Sequence, residues 1–113
     1  MAGTDLLQGT LDLMILKTLS AGPMHGYAIA RWIKRVSDDY LQVEEGALYP
    51  ALYRLDAKGW VKAEFGLSEN NRKAKYYQLT RKGRAQLDKQ LSAWQQYCSA
   101  LGKVLAANPV AGT

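Results

Sequence analysis

The spacing of apolar residues changes at Gly59, and this change limits the folds that are open to the chain. Before that glycine, apolar residues recur every three or four positions, which is typical of amphipathic helices. In segments 60–65 and 76–80, the alternation of side chains and the aromatic and β-branched residues are typical of strands. A chain of 113 residues has the length of one domain, so both patterns must share one core. The sequence therefore predicts an α+β fold that is mostly helical.

Three short helices are predicted before the change, at about 8–20, 25–37 and 46–58. Gly22-Pro23 separates the first helix from the second, because proline cannot continue a helix. We expect His25, at the start of the second helix, to have a capping or packing role. The apolar stripes of the three helices are Leu11, Ile15 and Leu19, then Ile29, Ile33 and Val36, and finally Leu48, Leu52 and Leu55.

A proline inside the third pattern indicates where that helix begins. In a helix interior proline costs about 3 kcal/mol, whereas the N–H groups of the first turn have no partner within the helix to lose. We therefore expect the helix to begin near Gly46, with Pro50 in its first turn. Tyr49 and Tyr53 then lie on the face away from the leucines, where packing in the core does not explain two large rings.

The net charge of +5 is concentrated in one segment. Residues 62–90 carry eight basic side chains and three acidic ones, whereas residues 1–61 carry a net charge of −1. Arg72, Lys73 and Lys75 lie at the tip and on the return strand of the predicted hairpin. A localised basic surface of this kind is what a polyanion-binding protein needs. A solvated basic face with no partner is the alternative.

A long last helix is predicted over 81–107, with Thr80 as its N-cap and Asn108-Pro109 after its end. Apolar side chains follow the spacing of a coiled-coil seam along it. We expect this seam to pair with a second copy of the chain. Its members are Leu87, Leu91, Trp94, Cys98, Leu101 and Leu105.

Three short helices, a hairpin with a basic tip and a long helix follow the order of a winged helix-turn-helix. In that fold the third helix enters the major groove of DNA, and its N-terminal residues reach the base edges. The alternative partners of Arg54 are Asp56 and Glu45, and Tyr49 and Tyr53 have the alternative of packing on the second helix or the hairpin. The predicted DNA-binding residues are Tyr27, Gly46, Ala47, Tyr49, Pro50, Tyr53, Arg54, Arg72, Lys73 and Lys75.

Several classes of protein are disfavoured by what the sequence lacks. One histidine and one cysteine give no catalytic triad, metal site or disulfide framework, and no nucleotide-binding glycine motif is present. We therefore expect no enzyme activity, no cofactor and no metal. No apolar run is long enough to span a membrane and no export signal is evident, so we expect a cytoplasmic protein. The alternative to a DNA-binding regulator is a winged-helix protein-interaction module without specific DNA binding.

Three segments of the sequence resemble the PadR family of bacterial transcriptional regulators. These are HGYAI at 25–29, EGALYPALYRL at 45–55 and KYYQLT at 75–80, with Gly83 following. The resemblance covers about residues 5–95 in the expected order. It implies a homodimeric repressor that binds a palindromic promoter and is released by a small, often aromatic, effector.

The length of the chain is similar to that of the short subfamily, whose members have one C-terminal dimerisation helix. This resemblance implies a winged helix-turn-helix domain over 1–80, a dimerisation helix over 81–107 and a flexible tail over 108–113. In that subfamily an aromatic residue near the position of Trp94 lines a cavity at the dimer interface. Trp94 is therefore a candidate for binding the effector, with a plain interface tryptophan as the alternative.

Overall fold

A computed structural model describes residues 3–67 and 73–110 of the chain. Four helices and a small antiparallel sheet make up this part, which confirms the predicted α+β class and the order of a winged helix. The elements are α1 (Gly3–Leu19), β1 (Met24–His25), α2 (Gly26–Val36), α3 (Glu45–Ala57), β2 (Val61–Leu67), β3 (Lys73–Leu79) and α4 (Arg81–Ala106). In this part of the chain, no helix has the length and apolar character needed to cross a membrane.

The core lies where α1, α2 and α3 pack together and the sheet covers them. The predicted stripes supply most of its side chains, and burial of each large one contributes about 1.5–3 kcal/mol. Val36 is the exception: it lies at the last position of α2 and is exposed. The largest fully buried side chains are Ile15, Leu16, Leu19, Ile29, Ile33, Leu48, Leu52, Leu55, Val61 and Thr18.

The sheet has three strands in the order β1-β3-β2, all antiparallel. Strand β1 is not apparent from the sequence, because two residues are too few to show an alternating pattern. It forms between α1 and α2 because Met24 and His25 pair with β3. The pairing places the start of α2 directly beside the hairpin.

Helix α3 begins one residue earlier than predicted, and this changes the place of Pro50. Glu44 is the N-cap, and its carbonyl accepts from the N–H groups of Ala47 and Leu48 at 3.0 and 2.9 Å. Pro50 is therefore the sixth helical residue and lies in the second turn, so the expectation of a first-turn proline is wrong. The missing N–H removes the hydrogen bond that the carbonyl of Gly46 would otherwise accept.

Helix α4 starts tightly against the hairpin and then leaves the core. The Thr80 hydroxyl accepts from the Gly83 N–H at 3.0 Å and donates to the Gly59 carbonyl at 2.7 Å, which confirms Thr80 as the N-cap. A Cβ at Gly83 would lie 1.9 Å from the Trp60 carbonyl oxygen, so only glycine fits there. The helix is about 39 Å long, and beyond Leu91 it is mostly exposed.

Candidate nucleic-acid interface

The outward face of α3 consists of residues that the protein itself does not cover. Leu48, Leu52 and Leu55 turn into the core on the opposite side of the helix. The Tyr53 side chain is 77% exposed, and a Cβ at Gly46 would have no atom within 4 Å. We call this face the reading face. It consists of Gly46, Ala47, Pro50 and Tyr53, all of which are predicted DNA-binding residues.

Tyr49 lies at the edge of the reading face and packs on the second helix, which was the alternative to DNA contact that the sequence left open. Its ring packs against Gly26 at the start of α2, yet the residue remains 42% exposed. Burial of the ring raises the pKa of the Tyr49 hydroxyl, and the nearby Glu45 and Tyr77 raise it further. Tyr49 is therefore neutral at physiological pH and can donate a hydrogen bond from its hydroxyl.

Arg54, another predicted DNA-binding residue, lies off the reading face and forms an ion pair within the protein. Its Nη2 lies 2.8 Å from Oδ1 of Asp12, a residue of α1 that is almost buried. The pairing partner is thus neither Asp56 nor Glu45. Arg54 lies on the side of α3 that faces α1, so its ion pair with Asp12 links the two helices. The sequence could not indicate this pair, since 42 residues separate its members.

The start of α2 presents an exposed tyrosine next to a capped first turn. His25 Nδ1 accepts from the Ala28 N–H at 3.2 Å, which confirms its capping role. Tyr27 is exposed, so the core-packing alternative does not hold for it. The guanidinium carbon of Arg31 lies 5.4 Å from the centre of the Tyr27 ring.

Three basic residues of α2 extend the charged surface beyond the predicted set. Arg31, Lys34 and Arg35 are all exposed and line a shallow depression with Tyr27. The signal for them was present in the sequence, because they lie off the apolar stripe of the second helix. They are not among the predicted DNA-binding residues, because the excess of positive charge in the sequence lies in residues 62–90.

The hairpin carries lysines and exposed apolar side chains on the same surface. Lys73 and Lys75 are exposed, and the Lys73 ammonium lies 4.6 Å from the centre of the Phe65 ring. Their cross-strand partners, Leu67 and Phe65, are also exposed and were not predicted. Arg72, the remaining predicted residue of the hairpin, lies outside the described residues.

The predicted seam of α4 divides into two parts. Leu87 is only 5% exposed and belongs to the core of its own protomer, so including it in a dimer surface was wrong. Leu91 is half-buried and lines a small apolar cavity with Trp32. The part that remains open consists of Trp94, Cys98, Leu101 and Leu105, together with Tyr97 and Val104, which the seam did not include.

A cavity of about 520 Å³ lies where α1, α4 and the α3–β2 connection meet. Trp94 lines it and stacks on Tyr97, with ring centres 5.8 Å apart and planes 29° apart. Asp12, the partner of Arg54, lines the cavity as well. Among residues 3–67 and 73–110, no group of acidic, histidine or cysteine side chains could hold a metal ion.

The three-helix core, the strand that precedes α2 and the basic hairpin together define a winged helix-turn-helix protein. Residues 15–89 match the model of the transcriptional regulator PadR-like family. The match spans more than half of the chain, so the chain belongs to that family. Members of this family are transcriptional regulators and not enzymes.

Solved structures of this family are similar to the chain over nearly its whole length. A transcriptional regulator from Clostridium thermocellum is 27% identical, with a TM-score of 0.79 over 91% of this chain and 97% of the other. A PadR-like transcriptional regulator from Bacillus cereus is 26% identical, with a TM-score of 0.79 over 92% and 99%. A PadR family transcriptional regulator from Eggerthella lenta is 30% identical, with a TM-score of 0.75 over 93% and 89%.

Proposed function

We propose that this PadR-like regulator is a homodimeric repressor that binds a palindromic promoter site, with one α3 helix in each of two major grooves. The exposed face of α3 is the observation that carries the proposal. Gly46 and Pro50 add little side-chain volume to the first two turns of α3, and the Tyr53 side chain is exposed to solvent. A tyrosine offers a hydroxyl to a base or phosphate and a ring to a thymine methyl group.

Phosphate contacts around α3 would fix the orientation of the winged-helix part of each protomer, which we call the head, on the duplex. The candidates for these contacts are Tyr27 and the basic residues of α2, and Lys73 and Lys75 of the hairpin. Arg72 belongs with these lysines by its place in the sequence. Such contacts position the protein and make binding sensitive to salt, whereas the bases are read by α3.

The open part of α4 is the proposed dimer surface. Apolar side chains on its exposed turns have no covering element among the described residues, and a second copy of the same helix would bury them. The two-fold symmetry of such a dimer matches a palindromic site, with half-sites about one helical turn of DNA apart. The bound dimer would repress by occupying the promoter.

We propose further that a small aromatic effector binds the cavity beside Trp94. The stacked Trp94 and Tyr97 rings provide a flat apolar wall on which a planar ligand can stack. A ligand held there, between α1 and α4, can alter the distance between the two heads. Titration with 8-anilinonaphthalene-1-sulfonate tests the site: its fluorescence should rise with the wild type and not with Trp94→Ala.

The test of the proposed function starts with selection of duplex DNA by the full chain from a random pool. We expect a palindromic site, which we call the selected operator, bound by two protomers. Tyr53→Ala should lower the affinity for it at least about tenfold, because each of the two protomers loses a base contact that contributes about 1–3 kcal/mol. The affinity for a scrambled duplex should change little.

Two outcomes would contradict the proposal. Recovery of no preferred sequence by the wild type would favour the protein-interaction alternative. Full retention of sequence preference by Tyr53→Ala would show that the exposed face of α3 does not read the bases. Tyr53→Phe is the matched variant, since it removes only the hydroxyl and separates hydrogen bonding from contact by the ring.

A further inference from the structure

The first residue of α2 is a buried glycine whose backbone does not require glycine. Among the described glycines, only Gly22 and Gly59 have φ angles in the left-handed region. Gly26 has the backbone of an ordinary helical residue, and alanine is the better helix former. The reason for glycine at this position must therefore be the space that a side chain would occupy.

That space is filled by the ring of Tyr49. A Cβ at Gly26 would lie 2.8 Å from Cε1 of Tyr49, 2.9 Å from its hydroxyl oxygen and 3.0 Å from Cζ. Carbon atoms in contact are normally about 3.5–4.0 Å apart. No residue with a side chain can therefore occupy position 26 while the tyrosine keeps its present position.

We infer that Gly26 is a positioning residue for DNA recognition: the absence of its side chain sets where the Tyr49 ring lies at the edge of the reading face. The inference rests on the proposed function, in which Tyr49 contacts DNA. The hydroxyl end of Tyr49 is the part held against α2.

An alanine at position 26 should move the tyrosine and not the helix. Helix α2 is held by Ile29 and Ile33 in the core, and β1 pairs the residues just before it with β3. The Tyr49 ring is attached through two rotatable bonds and is partly exposed, so it can turn toward solvent. The Gly26→Ala protein should therefore fold, with the ring displaced from its position.

A double-mutant cycle tests this inference. We expect Gly26→Ala to weaken binding to the selected operator about tenfold, as loss of a base or phosphate contact would. In a Tyr49→Ala background the clash is absent, so Gly26→Ala should have no further effect. Tyr53→Ala is the matched background, because the three atoms nearest to the Cβ position of Gly26 all belong to Tyr49 and none to Tyr53, and there the two losses should multiply.

A second measurement follows Tyr49 without DNA. The chain contains seven tyrosines, so the hydroxyl titration of each protein is compared with that of its Tyr49→Phe counterpart. The pKa of Tyr49 is raised in the wild type and should fall toward its ordinary value in Gly26→Ala, as the ring enters water. Thermal denaturation of each variant confirms that it is folded.

The outcomes separate this inference from the proposed function. Unchanged operator affinity of Gly26→Ala, or an equal loss in the Tyr49→Ala background, would overturn the positioning role. An unchanged Tyr49 titration in Gly26→Ala would overturn the displacement itself. Failure of the wild type to prefer any DNA sequence would refute the proposed function alone, and the titration would still decide whether Gly26 positions the ring.

Discussion

Replacement of Arg54 by methionine distinguishes a stabilising role from a DNA-binding one. The guanidinium is 2.8 Å from Asp12, and the exposed fractions of the two side chains are 30% and 12%. Loss of one partner from a fully buried pair costs about 3–5 kcal/mol. Because Arg54 is partly exposed, we expect a loss of about 2 kcal/mol, near that of a charged hydrogen bond. For a chain of this size, Tm should fall by about 8 °C.

The assay compares three proteins at one concentration, since the stability of a dimer depends on concentration. Arg54→Met leaves the Asp12 carboxylate almost buried and without its partner, whereas Asp12→Leu/Arg54→Met replaces both groups by apolar ones and should recover most of the lost Tm. Operator affinity, measured well below each Tm, should change less than about twofold. An Arg54→Met protein as stable as the wild type but unable to bind the operator would refute the reasoning.

Three further predictions follow from the hairpin, α4 and the sheet. Lys73→Ala should make the plot of log affinity against log salt concentration less steep by about 1.8, because each of the two protomers loses a phosphate contact worth about 0.9. Lys89→Ala, on α4, should leave this slope unchanged. Leu101→Glu should give monomers in sedimentation, and a persistent dimer would contradict the proposed α4 surface. Burial, followed by Asp56, raises the pKa of Tyr77 above 10.0. The contribution of neutral Tyr77 to the stability of the folded protein is therefore fully present below pH 10. It is lost as the pH rises through the pKa that Tyr77 has in the folded protein. Tyr77→Phe should therefore show a smaller fall of Tm above pH 10.

The sequence predicted the elements of the fold because each long element carries its own period. The stripes of the three short helices and the alternation in the hairpin are local signals, and the helices they indicate are present. Strand β1 is too short to carry a period, and it exists only because β3 is beside it. Helix α1 also begins five residues before the predicted start.

Only part of the candidate site could be predicted from the sequence. A helical wheel places Tyr53 on the outward face, but it cannot identify Asp12 as the partner of Arg54, because that pair depends on how α1 packs on α3. A seven-residue spacing likewise cannot distinguish burial within a protomer from burial between protomers. Leu87 fits the spacing of the seam and is nevertheless part of the protomer core.

The continuity of α4 has a consequence for the DNA that the regulator can recognise. One unbroken helix contributes Leu87 to the head and carries the proposed dimer surface farther along, with no linker between them. In the proposed dimer without effector, the distance and the angle between the two heads are therefore fixed. One base pair inserted between half-sites shifts them by about 3.4 Å and rotates them by about 35°. If the proposed dimer binds two half-sites, we therefore expect its promoter sites to vary in their central bases but not in the spacing of the half-sites.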